Sequence, residues 1–179
     1  FYNSDKVLYI SLHQDPTEFP GTGFADEVGE GKGLGYTVNI PFPFRTNDQI
    51  YSKAFNQIAI PIIQQYKPQF IVVSTGFDNH YTDPVASLSL SALSYVETFG
   101  KVLELATKFC VGKLVAILEG GYSLRFLGKT AAAVIARMAE VPYSIKDKRL
   151  GAGPKIRKQA ERIIEEVKKV QSAFWDMRS

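Results

Sequence analysis

The 179-residue sequence predicts an α/β protein built on a mainly parallel sheet. Two stretches and the pattern between them carry that prediction. Residues 69–73, Gln-Phe-Ile-Val-Val, form an apolar run without polar alternation, which suits a strand covered on both faces, and lead into Ser74-Thr75-Gly76-Phe77-Asp78. Residues 113–118 repeat the plan and run into Glu119-Gly120-Gly121-Tyr122. Segments of helical period separate such strands, the alternation of βαβ units. Ligands of open α/β sheets bind outside the carboxyl ends of the strands, where Asp78 and Tyr122 both stand. A turn Asp beside a Gly, and a buried structural tyrosine, are the other readings of the same two residues.

Taken in order, residues 6–12 read as a strand after the Asn3-Ser4-Asp5 turn, with His13 following at the sheet edge. Residues 14–35 are loop, rich in Gly, Pro, Asp and Glu and long enough to suggest function. Residues 36–40 are a short strand closed by Pro41, and Asn47-Asp48 offer a helix N-cap. Ile50, Ala54, Ile58, Ile62 and Tyr66 then recur along one helical face, with Pro61 expected to kink or restart the helix. After the strand at 69–73, Ser89 or Ser91 caps a helix to about residue 109, with Leu93, Val96, Val102, Leu103 and Leu105 inward. The strand at 114–118 is followed by an Ala-rich helix over 124–140. Beyond Pro142, Lys146-Asp147-Lys148-Arg149 and Gly151-Ala152-Gly153-Pro154 form a polar link. A last helix carries Ile156, Ala160, Ile163, Val167, Val170 and Phe174 as an apolar seam, with Lys168, Lys169 and Arg178 on a solvated face. That seam is expected to dock on the same chain.

With 45% hydrophobic and 22% charged residues, the chain has the composition of a soluble globular domain. A net charge of +3 spread through the sequence does not argue for nucleic acid. The single cysteine, Cys110, excludes an internal disulfide and a thiolate zinc cluster and fits a reducing cytoplasm. There is no signal peptide and no apolar run of about 18 residues, so the sequence indicates neither export nor membrane spanning. The start at Phe1 without Met suggests a cleavage product or a fragment.

Gly76-Phe77-Asp78 with Asp83-Pro84, and Leu118-Glu119-Gly120-Gly121-Tyr122, resemble two motifs of the histone deacetylase and acetylpolyamine amidohydrolase superfamily. Ser11-Leu12-His13, Phe19-Pro20-Gly21-Thr22-Gly23, Gly31-Lys32-Gly33 and Val38-Asn39-Ile40-Pro41 match that family in the same order. The resemblance implies a three-layer α/β/α fold of arginase/deacetylase type, here incomplete. Residues 1–141 would be the C-terminal half of a deacetylase domain, and residues 142–179 the link and the docked helix.

By the same resemblance, Asp78 is a zinc ligand and Tyr122 the catalytic phenol that donates to the acetyl oxygen. Gly120 and Gly121 keep the substrate channel open, and Phe19 lines it, although a loop Phe tucked into the core is the other reading. Ser11 and Leu12 match positions that bind a structural potassium ion, and Phe1, Ser4, Val7 and Tyr36 match a second such site. Asp78 and His80, two apart, face one side of an extended chain and have the spacing to clamp a metal together, but the family's loop gives only its Asp to the zinc, so a hydrogen bond behind the ligand or within the loop is the expected role of His80. A catalytic zinc takes three protein ligands, and the family's Asp-x-His ligands and paired histidines find no match among these residues, whose histidines are His13 and His80 alone. The expected activity is therefore zinc-dependent hydrolysis of an acetyl amide, on a protein lysine or a polyamine, with this chain inactive by itself and completed by an N-terminal half. The alternative is a deacetylase-like remnant serving as an interaction module. Apolar strands with an open edge would favour self-association.

Overall fold

A computed structural model describes residues 1–177; Arg178, read above as part of a solvated face, lies outside the described residues. The chain divides into two compact units, one of residues 1–46, 53–66 and those from 152 on, the other of residues 47–52 and 67–151. Both contain parallel strands and helices, and neither forms a closed barrel.

In the first unit, β1 (Tyr9–Gln14) pairs in parallel with β2 (Thr37–Phe42), Tyr9 opposite Thr37 and Gln14 opposite Phe42. β1 thus begins later than expected and contains His13. β2 runs through Pro41 instead of stopping before it, and the hydrogen-bond parity explains why. Tyr9 N–H donates to Tyr36 O at 2.9 Å and Asp15 N–H to Phe42 O at 2.8 Å, so the even-numbered residues of β2 bond to β1. Pro41 is odd, and the side on which it lacks an N–H faces away from β1. Every residue of β2 is buried.

Helix α1 (Asp48–Ala54) passes through a π turn (Phe55–Ala59) into α2 (Ile60–Tyr66). The expected kink at Pro61 takes this form: the wider turn places Ile60 N–H on Phe55 O immediately before the proline. Ala54, Ile58 and Ile62 are completely buried, as their spacing predicts.

Helix α5 (Pro154–Gln171) begins with its proline in the first turn and packs on β2. Its buried row is Ala160, Ile164, Val167 and Gln171, rotated from the predicted seam, in which Ile163 and Val170 are only half-buried and Phe174 is 37% exposed. Gln171 accounts for the rotation. Its side chain is fully buried and its Nε2 donates to Thr37 O on β2 at 3.2 Å, so an amide takes a seam position that periodicity assigns to an apolar residue. Trp175 Nε1 donates to Gly35 O at 2.8 Å, and the Trp175 and Tyr36 rings meet edge to face.

In the second unit, β3 (Ile71–Thr75) pairs in parallel with β4 (Leu114–Leu118), from Ile71 opposite Leu114 to Thr75 opposite Leu118. Helices α3 (Ala92–Cys110) and α4 (Leu127–Met138) pack on each other, and Phe77, Leu90, Tyr95, Phe99 and Val134 form the core. The inward face of α3 is led by Tyr95 and Phe99, while Leu93, Val96 and Leu103, expected inside, are half-buried. Coverage of β3 and β4 on both faces is not met within this unit: Val72 is 60% exposed and Ile117 49%.

The buried contact of α5 with β2 leads to a stability prediction. Ile164→Ala should cost about 2–5 kcal/mol, the usual range for emptying a filled core site. Lys169→Ala on the exposed face should stay within about 0.5 kcal/mol. Urea unfolding of both variants checks this, and equal effects would mean that α5 is not held by that face.

Candidate functional site

The carboxyl end of β3 is the best-defined polar centre of the second unit. Pairing continues past the strands: Glu119 N–H donates to Thr75 O and Phe77 N–H to Gly120 O, both at 2.9 Å. These two bonds bring the turn after β3 against the turn after β4. The Asp78 carboxylate then lies in a cradle of glycine backbone. A Cβ on Gly76 would sit 2.5 Å from Asp78 Oδ1, and one on Gly120 would sit 2.9 Å from Asp78 Oδ2. A side chain at either glycine would press on the carboxylate as it now lies.

Asp78 is half-buried and makes no ion pair among the described residues. Burial pushes its carboxyl above the ordinary value and the Asp83 charge adds to this, while the amides of Asp78 and Asn79 act the other way. A positive charge beside Asp78 would relieve that cost. The donor set fits a metal in part: Asp78 offers one oxygen ligand, but no group of three His, Cys, Asp or Glu that could hold a metal occurs among the described residues.

Tyr122 follows Gly121, whose φ is +133°, a region that favours glycine. The residue is 54% exposed. Its backbone is held from the other loop, where Asp83 Oδ2 accepts the N–H groups of Tyr122 at 2.7 Å and Ser123 at 3.0 Å. Asp83 Oδ1 accepts Val85 N–H at 2.9 Å across Pro84. Ser123 O in turn accepts Phe126 N–H and Leu127 N–H, so α4 starts at Leu127 and not at the predicted residue 124.

His80 is buried and fully engaged. Thr82 N–H donates to Nδ1 at 3.2 Å, which places the ring proton on Nε2, and Nε2 donates to Asp147 Oδ2 at 2.9 Å. Thr82 Oγ1 lies 2.9 Å from Nδ1 and 2.8 Å from Ser123 Oγ, a chain that runs from Ser123 through Thr82 and His80 to Asp147. The ring also stacks between Tyr81 and Phe126, with both centroids at 4.5 Å. The loop hydrogen bond, and not the metal clamp with Asp78, is therefore the arrangement found: neither ring nitrogen is left for a metal.

Sequence reading missed Asp147, which lies 67 positions from His80 in a stretch that reads as a polar link. Its carboxylate is completely buried and accepts His80 Nε2, Ala92 N–H, Tyr81 Oη–H and Lys148 N–H. Burial pushes its carboxyl up, but these hydrogen bonds together outweigh burial and hold it below the ordinary value. Asp147 also caps α3 at Ala92, because the Ser91 side chain makes no cap and donates instead to Asp48 Oδ2. No local pattern pairs 147 with 80 or 92.

The remaining candidates lie in the first unit. Phe19 is 83% exposed, so it is not tucked into a core. Its loop is tied by Glu27, which accepts Thr22 Oγ1–H and the N–H groups of Gly23 and Phe24. His13 Nε2 donates to Gly23 O at 2.9 Å and Nδ1 accepts Ser11 Oγ–H at 2.7 Å, a structural role for both residues. Leu12 lies in β1 opposite Ile40. Of the second potassium set, Phe1 O accepts Ser4 N–H and Tyr36 O accepts Tyr9 N–H; Val7 precedes β1.

An unpaired carboxylate and an exposed tyrosine thus stand on adjoining turns at the carboxyl ends of paired parallel strands, in a protein of the α/β class. Comparison with known proteins specifies it further. The histone deacetylase domain matches residues 1–138, and the chain belongs to that family. A "Probable deacetylase" of Archaeoglobus fulgidus is 44% identical over 188 residues, covering 98% of this chain and 51% of the relative. A "Histone deacetylase-like amidohydrolase" of Pseudomonas aeruginosa is 35% identical, covering 82% of this chain and 39% of the relative. Among solved structures, the histone deacetylase Clr3 superposes with a TM-score of 0.85 at 33% identity, covering 100% of this chain and 30% of that one. The HDA15 HD domain gives 0.81 at 32%, covering 97% and 46%. The chain thus spans about half the length, or less, of the relatives it matches. No described helix is long and apolar enough to cross a membrane.

The Asp147 network carries a pH prediction. Its folded carboxyl titrates below the unfolded one, so the unfolded chain binds more protons in that range and stability rises with pH. The contribution is complete above the ordinary carboxylate value of 3.8 and disappears as pH falls through the lowered folded value. Asp147→Asn should cost about 1–3 kcal/mol at pH 7, and the gap should narrow towards pH ~3. Urea unfolding at the two pH values decides this, and a gap unchanged by pH would exclude the charge as its origin.

Proposed function

We propose that this chain carries one metal-ligating carboxylate, Asp78, and the oxyanion-stabilising phenol, Tyr122, of a zinc-dependent deacetylase acting on an acetyl amide. The observation that carries the reading is the Asp78 carboxylate in its cradle of Gly76 and Gly120, beside the turn that presents Tyr122. A bound zinc would acidify a water and polarise the amide carbonyl. Asp78, partly desolvated and without a cationic partner, is suited to be one of its ligands. The hydroxyl of Tyr122 would donate to the acetyl oxygen as negative charge develops there, a stabilisation worth more in a dry site than in water. Gly120 and Gly121 are proposed substrate-channel positions by their place in the motif; a Cβ on Gly120 would press on Asp78 and one on Gly121 on Leu127 and Phe77.

Phe19, exposed on its own loop, is proposed to line the path of the acyl-lysine or acylpolyamine stem, which is apolar until its end. Ser11 and Leu12, and the oxygens of Phe1, Ser4, Val7 and Tyr36, are proposed potassium positions. The other zinc ligands and the group that takes the proton from the attacking water are assigned to protein outside this chain, since both histidines here are committed to hydrogen bonds. Residues 1–141 are accordingly proposed as the C-terminal half of the catalytic domain, with α5 as its docked helix.

In an enzyme that contains this chain, Tyr122→Phe should leave zinc content unchanged and lower kcat by about a hundredfold or more. Asp78→Asn should lower the zinc content itself, read by elemental analysis. The purified 179-residue chain should release no acetate from acetyl-lysine peptides and hold no stoichiometric zinc. Zinc-dependent release by that chain, abolished by Tyr122→Phe, would overturn the assignment of the missing groups to other protein.

A further inference from the structure

We propose that Asp83 is a positioning residue for Tyr122: its carboxylate clamps the backbone of the Tyr122 turn and thereby sets the direction in which the phenol is presented. The kinetic part of this inference rests on the deacetylase reading above.

The turn needs such a clamp. Tyr122 is preceded by two glycines, which leave the backbone more freedom than any other pair of residues. The exposed ring also gains little hold from packing. Stiffness must therefore enter through the main chain. Asp83 supplies it with one oxygen on the amides of Tyr122 and Ser123, and ties its own loop with the other oxygen on Val85 N–H. Three backbone amides satisfy the carboxylate, and it forms no ion pair among the described residues. Charge-assisted bonds of this kind are about twice as strong as neutral ones. A Cβ on Gly121 would meet Leu127 Cδ1 at 2.9 Å and Phe77 Cβ at 3.0 Å, so the position has to be glycine and keeps a glycine's freedom.

The clamp is itself braced. Asp83 N–H donates to His80 O at 2.8 Å, Thr82 Oγ1 bonds Ser123 Oγ at 2.8 Å, and His80 stacks on Phe126, the residue just before α4. Beyond the Phe77–Gly120 bond, the loop that carries Asp78 and the turn that carries Tyr122 are thus joined at three places, and of these only Asp83 grips Tyr122 directly. Misplacement of a reacting group by about 1 Å can cost on the order of a hundredfold in rate. An intact Asp83 is accordingly required for kcat more than for folding or metal binding.

Two measurements test this. In the full chain, Asp83→Ala should speed amide exchange at Tyr122 and Ser123 by about tenfold or more while the interior amides of α4 keep their protection. In the zinc-loaded enzyme, Asp83→Ala should lower kcat by tens of fold, roughly, with KM and zinc content little changed, and Asp83→Asn, which keeps an acceptor oxygen, should retain part of the rate. In a Tyr122→Phe background the same substitution should cost less than about twofold, since its effect acts through the hydroxyl already removed. Additive losses in the double variant, unchanged exchange at the two amides, or loss of α4 protection together with theirs would each overturn the proposal. If Tyr122→Phe leaves turnover intact, the deacetylase role of Tyr122 falls, and the exchange measurement alone decides the clamp.

Discussion

The parallel ladder of β3 and β4 is the constraint on which the rest of the second unit depends. Its register, Thr75 opposite Leu118, carries on through the bonds from Glu119 to Thr75 and from Phe77 to Gly120. That continuation places the Asp78 carboxylate against Gly120 and turns the Phe77 ring onto Tyr95, 5.1 Å away. A slip of one residue would exchange the faces: Phe77 would leave the core and the carboxylate would lose its glycine cradle. Core packing and site geometry are therefore consequences of one register.

Around this ladder, carboxylates organise main chain, and one of them, Asp48, also pairs with Arg149 at 3.5 Å. Asp83 holds the Tyr122 turn, Asp147 holds the start of α3 and the His80 ring, and Asp48 holds Ser91 through both its amide and its hydroxyl. Each takes up orphan N–H groups at a turn or helix start, where the backbone carries partial positive charge. Buried carboxylates are costly unless fully hydrogen-bonded, and Asp147, completely buried, has four donors. Asp78 differs in having its carboxylate partly desolvated and without such a partner set.

His13 shows the same economy. His13 bridges Ser11 and the carbonyl of Gly23, and burial pushes its ring below the ordinary value, with the Gly23 carbonyl and the charges of Asp15 and Glu27 acting the other way. The strand that carries it is thereby tied to the loop that carries Phe19. A Cβ on Gly23 would sit 2.9 Å from His13 Nε2, so the close approach of ring and loop requires glycine.

The α/β class, the strands at 71–75 and 114–118, the long helices and the two motif ends at Asp78 and Tyr122 were legible in the sequence because each depends on local properties: apolar runs, helical period, and glycine beside an acid or a phenol. The boundaries of β1, β2 and α4 were not, because a strand ends where its partner's hydrogen bonds end and α4 begins where the Ser123 carbonyl captures its first amides. The seam of α5 was misread by one residue, since periodicity has no means of anticipating an amide that finds a carbonyl on β2. His80, Asp83 and Asp147 are ordinary loop residues in sequence. Their long-range partners lie 39 to 67 positions away, and only the tertiary structure, by closing those distances, decided which polar groups hold the two turns together.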